Sequence, residues 1–234
     1  MGCGAARAIQ TACSAVWLIM MQRNVFIAGG TGYIGSRLVV ELLNRGHRVR
    51  ALTRNGSARK LPPGCEVVSG DPLDSRSFAH QIRPSDTFVE LVGVPKPSPA
   101  KAAEFRAIDL QAIRAAVPAA VEAGIEHFVY VSVAHPAPLM KAYIEVRVEG
   151  EELIKKSGLR ASILRPWYVL GPGHRWPYAL KPAYAVLERL PSTRETASRL
   201  GLVGLDQMLR ALVSSIETPA EDLRILEVPQ IRMA

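Results

Sequence analysis

The chain has 234 residues, 48% apolar and 21% charged, enough to bury the core of one sizeable domain, which excludes disorder as its main state. Lys and Arg total 29 against 21 Asp and Glu, a formal charge of +8. Only Arg45, Arg48, Arg50, Arg54, Arg59 and Lys60 form a loose basic cluster, and aromatics are 6%, which argues against a nucleic-acid partner and for a basic pocket that takes a phosphorylated small molecule.

Three cysteines, Cys3, Cys13 and Cys65, with no CxxC predict a reducing compartment and no disulfide framework. No stretch reaches the roughly 18 apolar residues of a membrane span, so a soluble, cytoplasmic protein is expected. Residues 1–20 carry one charge, Arg7, and an apolar run from Ala15 to Met21. They leave no room for a cleavage site before the first core strand. They are expected to be a dispensable extension, either disordered or upstream of the natural start, with a weak membrane-touching segment as the alternative, and 21–234 a single NAD(P)-binding domain with its substrate region in the C-terminal part.

From there strand and helix alternate. Residues 24–29 (NVFIAG) form an apolar run ending in glycine, and 34–45 have helical spacing with Gly46 as a C-terminal cap. Strands are predicted at 48–53, 66–69 and 87–94, and a helix at 74–82. A long helix is expected over 99–123, kinked at Pro118 and stopped by Gly124. Then come a strand at 127–132, a helix at 139–157, a strand at 161–165, a helix at 205–216 and a last strand at 223–228. This alternation implies one doubly wound, mostly parallel sheet with helices on both faces, a Rossmann-type α/β fold.

The strongest motif is the first strand-to-helix turn, AGGTGYIG at 28–35. Both Gly30-x-Gly32-x-x-Gly35 and Gly29-x-x-Gly32-x-x-Gly35 fit a dinucleotide fingerprint. Such a turn needs one glycine for its tight bend, one for backbone approach to a pyrophosphate and one for helix-on-strand packing. The pyrophosphate then meets the helix N-terminus, so Gly29, Thr31, Gly32, Tyr33, Ile34 and Gly35 are candidate cofactor residues. The end of the second strand reads ALTRN, without the acid that binds ribose hydroxyls in NAD sites. Arg54 can pair with a 2′-phosphate, with Arg59 or Lys60 assisting, so NADP(H) is favoured over NAD(H); the alternative is a solvated loop arginine. Asp71, after the third strand, borders the adenine position or caps a local turn, as Asp74 can. Leu91 and Val92 should flank the cofactor ribose.

GGTGYIG, the D-x-x-D after strand three, HFVYVS, Y-x-x-x-R followed by E, and ILRPWYVLGPG together resemble the short-chain dehydrogenase/reductase superfamily. The likeness is to its atypical branch, NmrA-like proteins and relatives of the nucleotide-binding accessory subunit of respiratory complex I, over about residues 22–230. The resemblance implies a Tyr-x-x-x-Lys pair plus a Ser or Thr after strand five. Tyr143 matches the tyrosine; Arg147 stands at the lysine position, Ser132 lies one residue early, and Val133 occupies the usual serine site.

A spacing of four places Tyr143 and Arg147 on one helical face, where a cation makes a phenol a better acid, although arginine does not readily give up a proton. The alternative is a packing tyrosine with Arg147 paired to Glu151. Trp167 and His174, in the segment RPWYVLGPGHRWP, could wall a substrate pocket with Ser132, the nicotinamide lying near Pro166; His174 is equally readable as a surface histidine. His47, His80, His127 and His135 show no metal spacing, and no metal is expected. The amphipathic run 178–190 could cover the pocket, dock a partner in a larger complex or touch a membrane surface. The expected activity is hydride transfer between NADPH and a small carbonyl-type substrate, with a non-catalytic sensor or assembly subunit as the rival.

Overall fold

The computed structural model describes residues 22–54, 56–172 and 199–234. The 1–20 extension, His174 and the 178–190 run lie outside the described residues. The chain runs β1 (Asn24–Ala28), α1 (Gly35–Asn44), β2 (Arg48–Thr53), β3 (Glu66–Ser69), β4 (Thr87–Glu90), α2 (Gln111–Ala123), β5 (His127–Val131), α3 (Lys141–Ser157), β6 (Ala161–Arg165), β7 (Tyr168–Leu170), β8 (Leu202–Gly204), α4 (Leu205–Glu217), β9 (Leu223–Glu227) and α5 (Val228–Met233). Seven strands form one parallel sheet in the order β3-β2-β1-β4-β5-β6-β9. This is the doubly wound Rossmann-type topology, whose order reverses between β1 and β4.

Each strand feeds both faces. Phe26, Phe88, Phe128, Tyr130 and Ile163 pack toward α2 and α3, while Val25, Ile27, Val89, Val129 and Leu164 pack with Leu38 and Leu42 of α1 and Met208 and Leu212 of α4. Phe88 sits between Phe26 and Phe128, with ring centroids 5.1 and 5.2 Å away. The near-continuous apolar strands follow from burial on both sides.

Three predicted elements are corrected. Residues 74–82 are not one helix but two short 3₁₀ turns, Ser75–Ser77 and Ala79–Gln81. Asp74 accepts the Arg76 N–H, and the Ser77 hydroxyl is engaged by the Asp71 and Asp74 backbone, so short polar side chains take backbone groups a longer helix would use. The strand predicted to reach residue 94 ends at Glu90, because beyond Leu91 the Val92 and Val94 N–H groups go to side chains, Glu90 and Asp109. The helix predicted from residue 99 becomes regular only at Gln111. A π-helical turn, Phe105–Leu110, precedes it, and the helix continues through Pro118. The parallel pair β7–β8 and helix α5 were not predicted; three-residue strands carry no readable period.

At the sheet end opposite the crevice, His127 is fully buried. Its Nε2 lies 3.1 Å from the Ser162 hydroxyl, whose oxygen accepts from Arg224. Burial, then the nearby Arg224, Arg23 and Arg160 cations, push its pKa down to about 4. The unfolded chain takes up this proton near pH 6.5 and the folded one only near 4. His127 therefore costs stability as pH falls through that window, about 3 kcal/mol by pH 4. Urea unfolding of wild type and His127→Gln at pH 7 and pH 4 should show the variant recovering most of that difference; parallel pH dependences would refute it.

Candidate dinucleotide and active site

The glycine turn divides its labour among its residues. Gly29 has φ +85, and a Cβ there would lie 2.8 Å from the Leu91 carbonyl carbon. It is both the left-handed bend and the point where the end of β4 passes. At Gly35 a Cβ would fall 2.2 Å from the Gly29 carbonyl oxygen, and at Gly30 3.0 Å from the Ala51 Cβ, so these two let α1 pack on the sheet. Gly32 is different: its Cβ would meet only the Gly29 oxygen, at 3.2 Å, and it is exposed while Thr31, Tyr33 and Ile34 are half-buried. Its N–H donates to that oxygen at 3.0 Å, which fixes the turn. No side chain caps α1 and its first turn holds no acid, leaving the N-terminus suited to an anion. Arg37 lies 4.4 Å from the Tyr33 ring centroid and donates to the Tyr33 carbonyl.

Beyond β2, Thr53 is buried and Arg54 exposed. Arg59 and Lys60 are exposed on the short turn Ala58–Lys60. The register Thr53↔Ser69 sets Arg54 and Asp71 at the carboxyl ends of neighbouring strands. Asp71 uses Oδ1 to accept the Leu73 N–H at 3.0 Å, so its carboxylate caps its own turn. Leu91, half-buried, donates its N–H to the Ala28 carbonyl, bringing Leu91 and Val92 alongside the glycine turn.

Over β4 and β5 lies a buried polar cluster that the topology assembles from distant segments. Tyr143, in the first turn of α3, is half-buried with its ring 4.9 Å from Phe105. One turn on, Arg147 is 5% exposed. Its guanidinium donates to the Val131 carbonyl at 3.0 Å, to the Val92 carbonyl at 3.3 Å and to Asp109 Oδ1 at 2.5 Å. Its Cζ stands 5.2 Å from the Tyr143 ring centroid and 5.7 Å from that of Tyr130. Burial opposes its charge, but Tyr143, Tyr130 and Asp109 more than offset that, so Arg147 stays cationic. A Cβ on Gly93 would fall 2.4 Å from the guanidinium; the missing side chain is what admits it.

The expected alternative of an Arg147–Glu151 pair is corrected: Arg147 pairs with Asp109. Glu151 instead accepts from Ser132 Oγ at 2.6 Å and from Arg165 Nε at 2.9 Å. Arg165 also bonds Glu227 at 2.8 Å. Ser132 is 2% exposed, so its hydroxyl faces α3 and the carboxylate. Val133 is buried as well. Pro166 is buried and its carbonyl accepts the Ala134 N–H at 3.0 Å. Trp167 is half-buried and edge-on to Tyr168 at 5.7 Å.

Sequence reasoning missed Glu90 and Asp109. Each is a lone acid in an apolar run, TFVELV and RAIDLQAI, and that misplacement was the available signal. Among the described residues, no group of three or more His, Cys, Asp or Glu could hold a metal ion, and no helix is long and apolar enough to cross a membrane.

A family model described as NAD(P)H-binding matches residues 29–181. Ceramide reductase of Caulobacter vibrioides (strain NA1000 / CB15N) is 28% identical over 211 residues, covering 89% of this chain and 65% of that one. Photosystem II assembly factor Ycf39 of Cyanophora paradoxa is 27% identical over 150 residues, 61% of this chain and 44% of that one. The chain thus spans less than two thirds of either relative. In structure it is similar to the Bordetella bronchiseptica enzyme WbmH in complex with NAD+, with TM-score 0.64 and 22% identity over 84% of this chain and 72% of that one; this likeness bears on the fold. With the match beginning inside the glycine turn and running through the crevice to the segment after β7, the chain belongs to the NAD(P)H-binding family, on a fold shared with oxidoreductase-type relatives.

Proposed function

We propose that the protein is an NADP(H)-dependent reductase of the atypical short-chain dehydrogenase/reductase type, acting on a small carbonyl-type substrate. The observation that carries this reading is Tyr143 beside the Arg147 cation at the crevice that the glycine turn opens. The residues fit a dinucleotide: Gly32 leaves the space a side chain would fill, and the α1 N-terminus is uncapped. Gly29, Thr31, Gly32, Tyr33, Ile34 and Gly35 would hold the pyrophosphate, Arg54 the 2′-phosphate, Asp71 the adenine side, and Leu91, Val92 and Pro166 the nicotinamide half. The nucleotide supplies a hydride when bound. Tyr143 gives the carbonyl oxygen a proton, and Arg147 keeps a positive field at the phenol while tying the ends of β4 and β5 together. Trp167, His174 and Ser132 would shape the substrate region.

A second reading, a nucleotide-binding sensor or assembly subunit, is favoured by one observation: the Arg147 guanidinium is already engaged by Val131, Val92 and Asp109. Purifying the protein, identifying its bound nucleotide and following NADPH oxidation over a carbonyl panel separates the two. Tight nucleotide binding without oxidation of any panel member would favour the second.

Cofactor choice has its own test. NADPH is expected to bind more tightly than NADH by roughly 1.5–3 kcal/mol, the size of a charge-assisted bond from Arg54 to the extra phosphate. Arg54→Ala should erase most of that gap in a calorimetric titration. Equal wild-type affinities would remove the assignment.

A further inference from the structure

Glu90 ends β4, one of the two strands flanking the point where the sheet order reverses, and ligands of such sheets lie across the strands' carboxyl ends there. The residues that follow it, Leu91 and Val92, run against the Gly29 turn, so the Glu90 carboxyl, bonded to the Val92 N–H, is held beside that turn while being only 1% exposed. Oε1 accepts the Val92 N–H at 2.7 Å. Oε2 is buried with no hydrogen-bond partner among the described residues; an ionised carboxylate would leave that oxygen desolvated and bare, a far costlier state than a neutral acid.

The charged and titratable groups around it are Asp109 from the π-helical turn, Arg147 from α3 and Tyr130 from β5; Tyr143 of α3 lies beside Arg147. Arg147 is paired with Asp109, so Glu90 has no counter-charge of its own. Burial raises its pKa to about 8; the Val92 N–H and Arg147 oppose the rise and Asp109 adds to it.

We propose that Glu90 discriminates the redox state of the bound nucleotide: as a neutral acid it suits the uncharged reduced nicotinamide, and it releases its proton when the cationic oxidised form binds. A positive charge brought near a buried carboxyl favours its ionised form, and by linkage the ionised carboxyl binds the cation more tightly. The inference rests on nucleotide binding alone and holds whether or not hydride is transferred.

The test is calorimetric titration of the full chain with NADP+ and with NADPH between pH 6 and 9, in buffers of differing ionisation enthalpy, with NAD+ and NADH as a second pair. If the cation lowers the Glu90 pKa by about one unit, NADP+ affinity should rise about tenfold across that range, relative to NADPH, with about half a proton released per NADP+ near pH 7.5. Titration of the 2′-phosphate is common to both forms and cancels in the comparison. Glu90→Gln, which mimics the neutral acid in shape, should bind both forms and lose both the difference and the proton. Should that variant not fold, Asp109→Asn provides the second test, since removing the neighbouring negative charge should move the NADP+ transition to lower pH. Matching pH profiles for the two forms, or a difference that survives Glu90→Gln, would overturn the inference while leaving nucleotide binding intact. Failure of wild type to bind any of the four nucleotides would overturn the site assignment along with it.

Discussion

Gly32→Val should abolish dinucleotide binding while leaving a folded protein. A Cβ at this position meets a single atom, the Gly29 carbonyl oxygen at 3.2 Å, a tight contact that asks the turn to give by a few tenths of an ångström, and the backbone there is not left-handed, so the cost to the fold is far smaller than at Gly35. What valine occupies is the open side of the turn, where a pyrophosphate must approach the backbone closely. Affinity in a calorimetric titration should therefore fall below detection, with the thermal melt lowered only modestly. Gly35→Ala makes the contrast, because its Cβ would stand 2.2 Å from backbone at Gly29; α1 must shift off the sheet, at about 1–3 kcal/mol. That variant should show a clearly lowered melting temperature before any binding is considered. Undiminished nucleotide affinity in a folded Gly32→Val protein would mean that the turn does not serve a dinucleotide.

The contrast between Gly32 and Gly35 shows what a sequence can and cannot say about such a site. The strand–glycine–helix run at 24–45 was legible because period, cap and glycine spacing are local properties. That Gly29 faces the end of β4 and Gly30 faces β2 was not, since those contacts are with Leu91, Val92 and Ala51, which are distant in sequence. The same limit explains the cluster around Arg147. Spacing alone offered Glu151 as its partner, four residues along the helix. The sheet instead brings Asp109 to it from 38 residues away, on a π-helical turn that no periodicity announces. Glu151 is left to Ser132 and Arg165. Glu90 reads locally as an acid spoiling a strand; its meaning appears only when β4 is set between β1 and β5 with α3 across it.

Tyr143→Phe is the change expected to cut turnover most, by on the order of 10²–10⁴, the usual contribution of a general acid. Tyr143 is the half-buried phenol beside the cation, with its ring seated on Phe105, so phenylalanine should preserve the packing. Nucleotide affinity should barely change, because the role proposed for the hydroxyl is toward the substrate. Arg147→Lys sharpens the reading. A lysine ammonium keeps the charge and restores the pair of the resembled family, but it cannot span the Val131 carbonyl, the Val92 carbonyl and Asp109 as the planar fork does. At least one buried acceptor loses its partner, at about 1–3 kcal/mol. A lowered melt with turnover preserved or raised would assign Arg147 both the field and the brace. A lowered melt with turnover unchanged in both Arg147→Lys and Tyr143→Phe would assign it the brace alone. NADPH bound tightly, oxidised by no member of the carbonyl panel and indifferent to Tyr143→Phe would remove catalysis from this site, leaving a nucleotide-binding sensor or assembly subunit in which the Arg147 cluster ties the ends of β4 and β5 together.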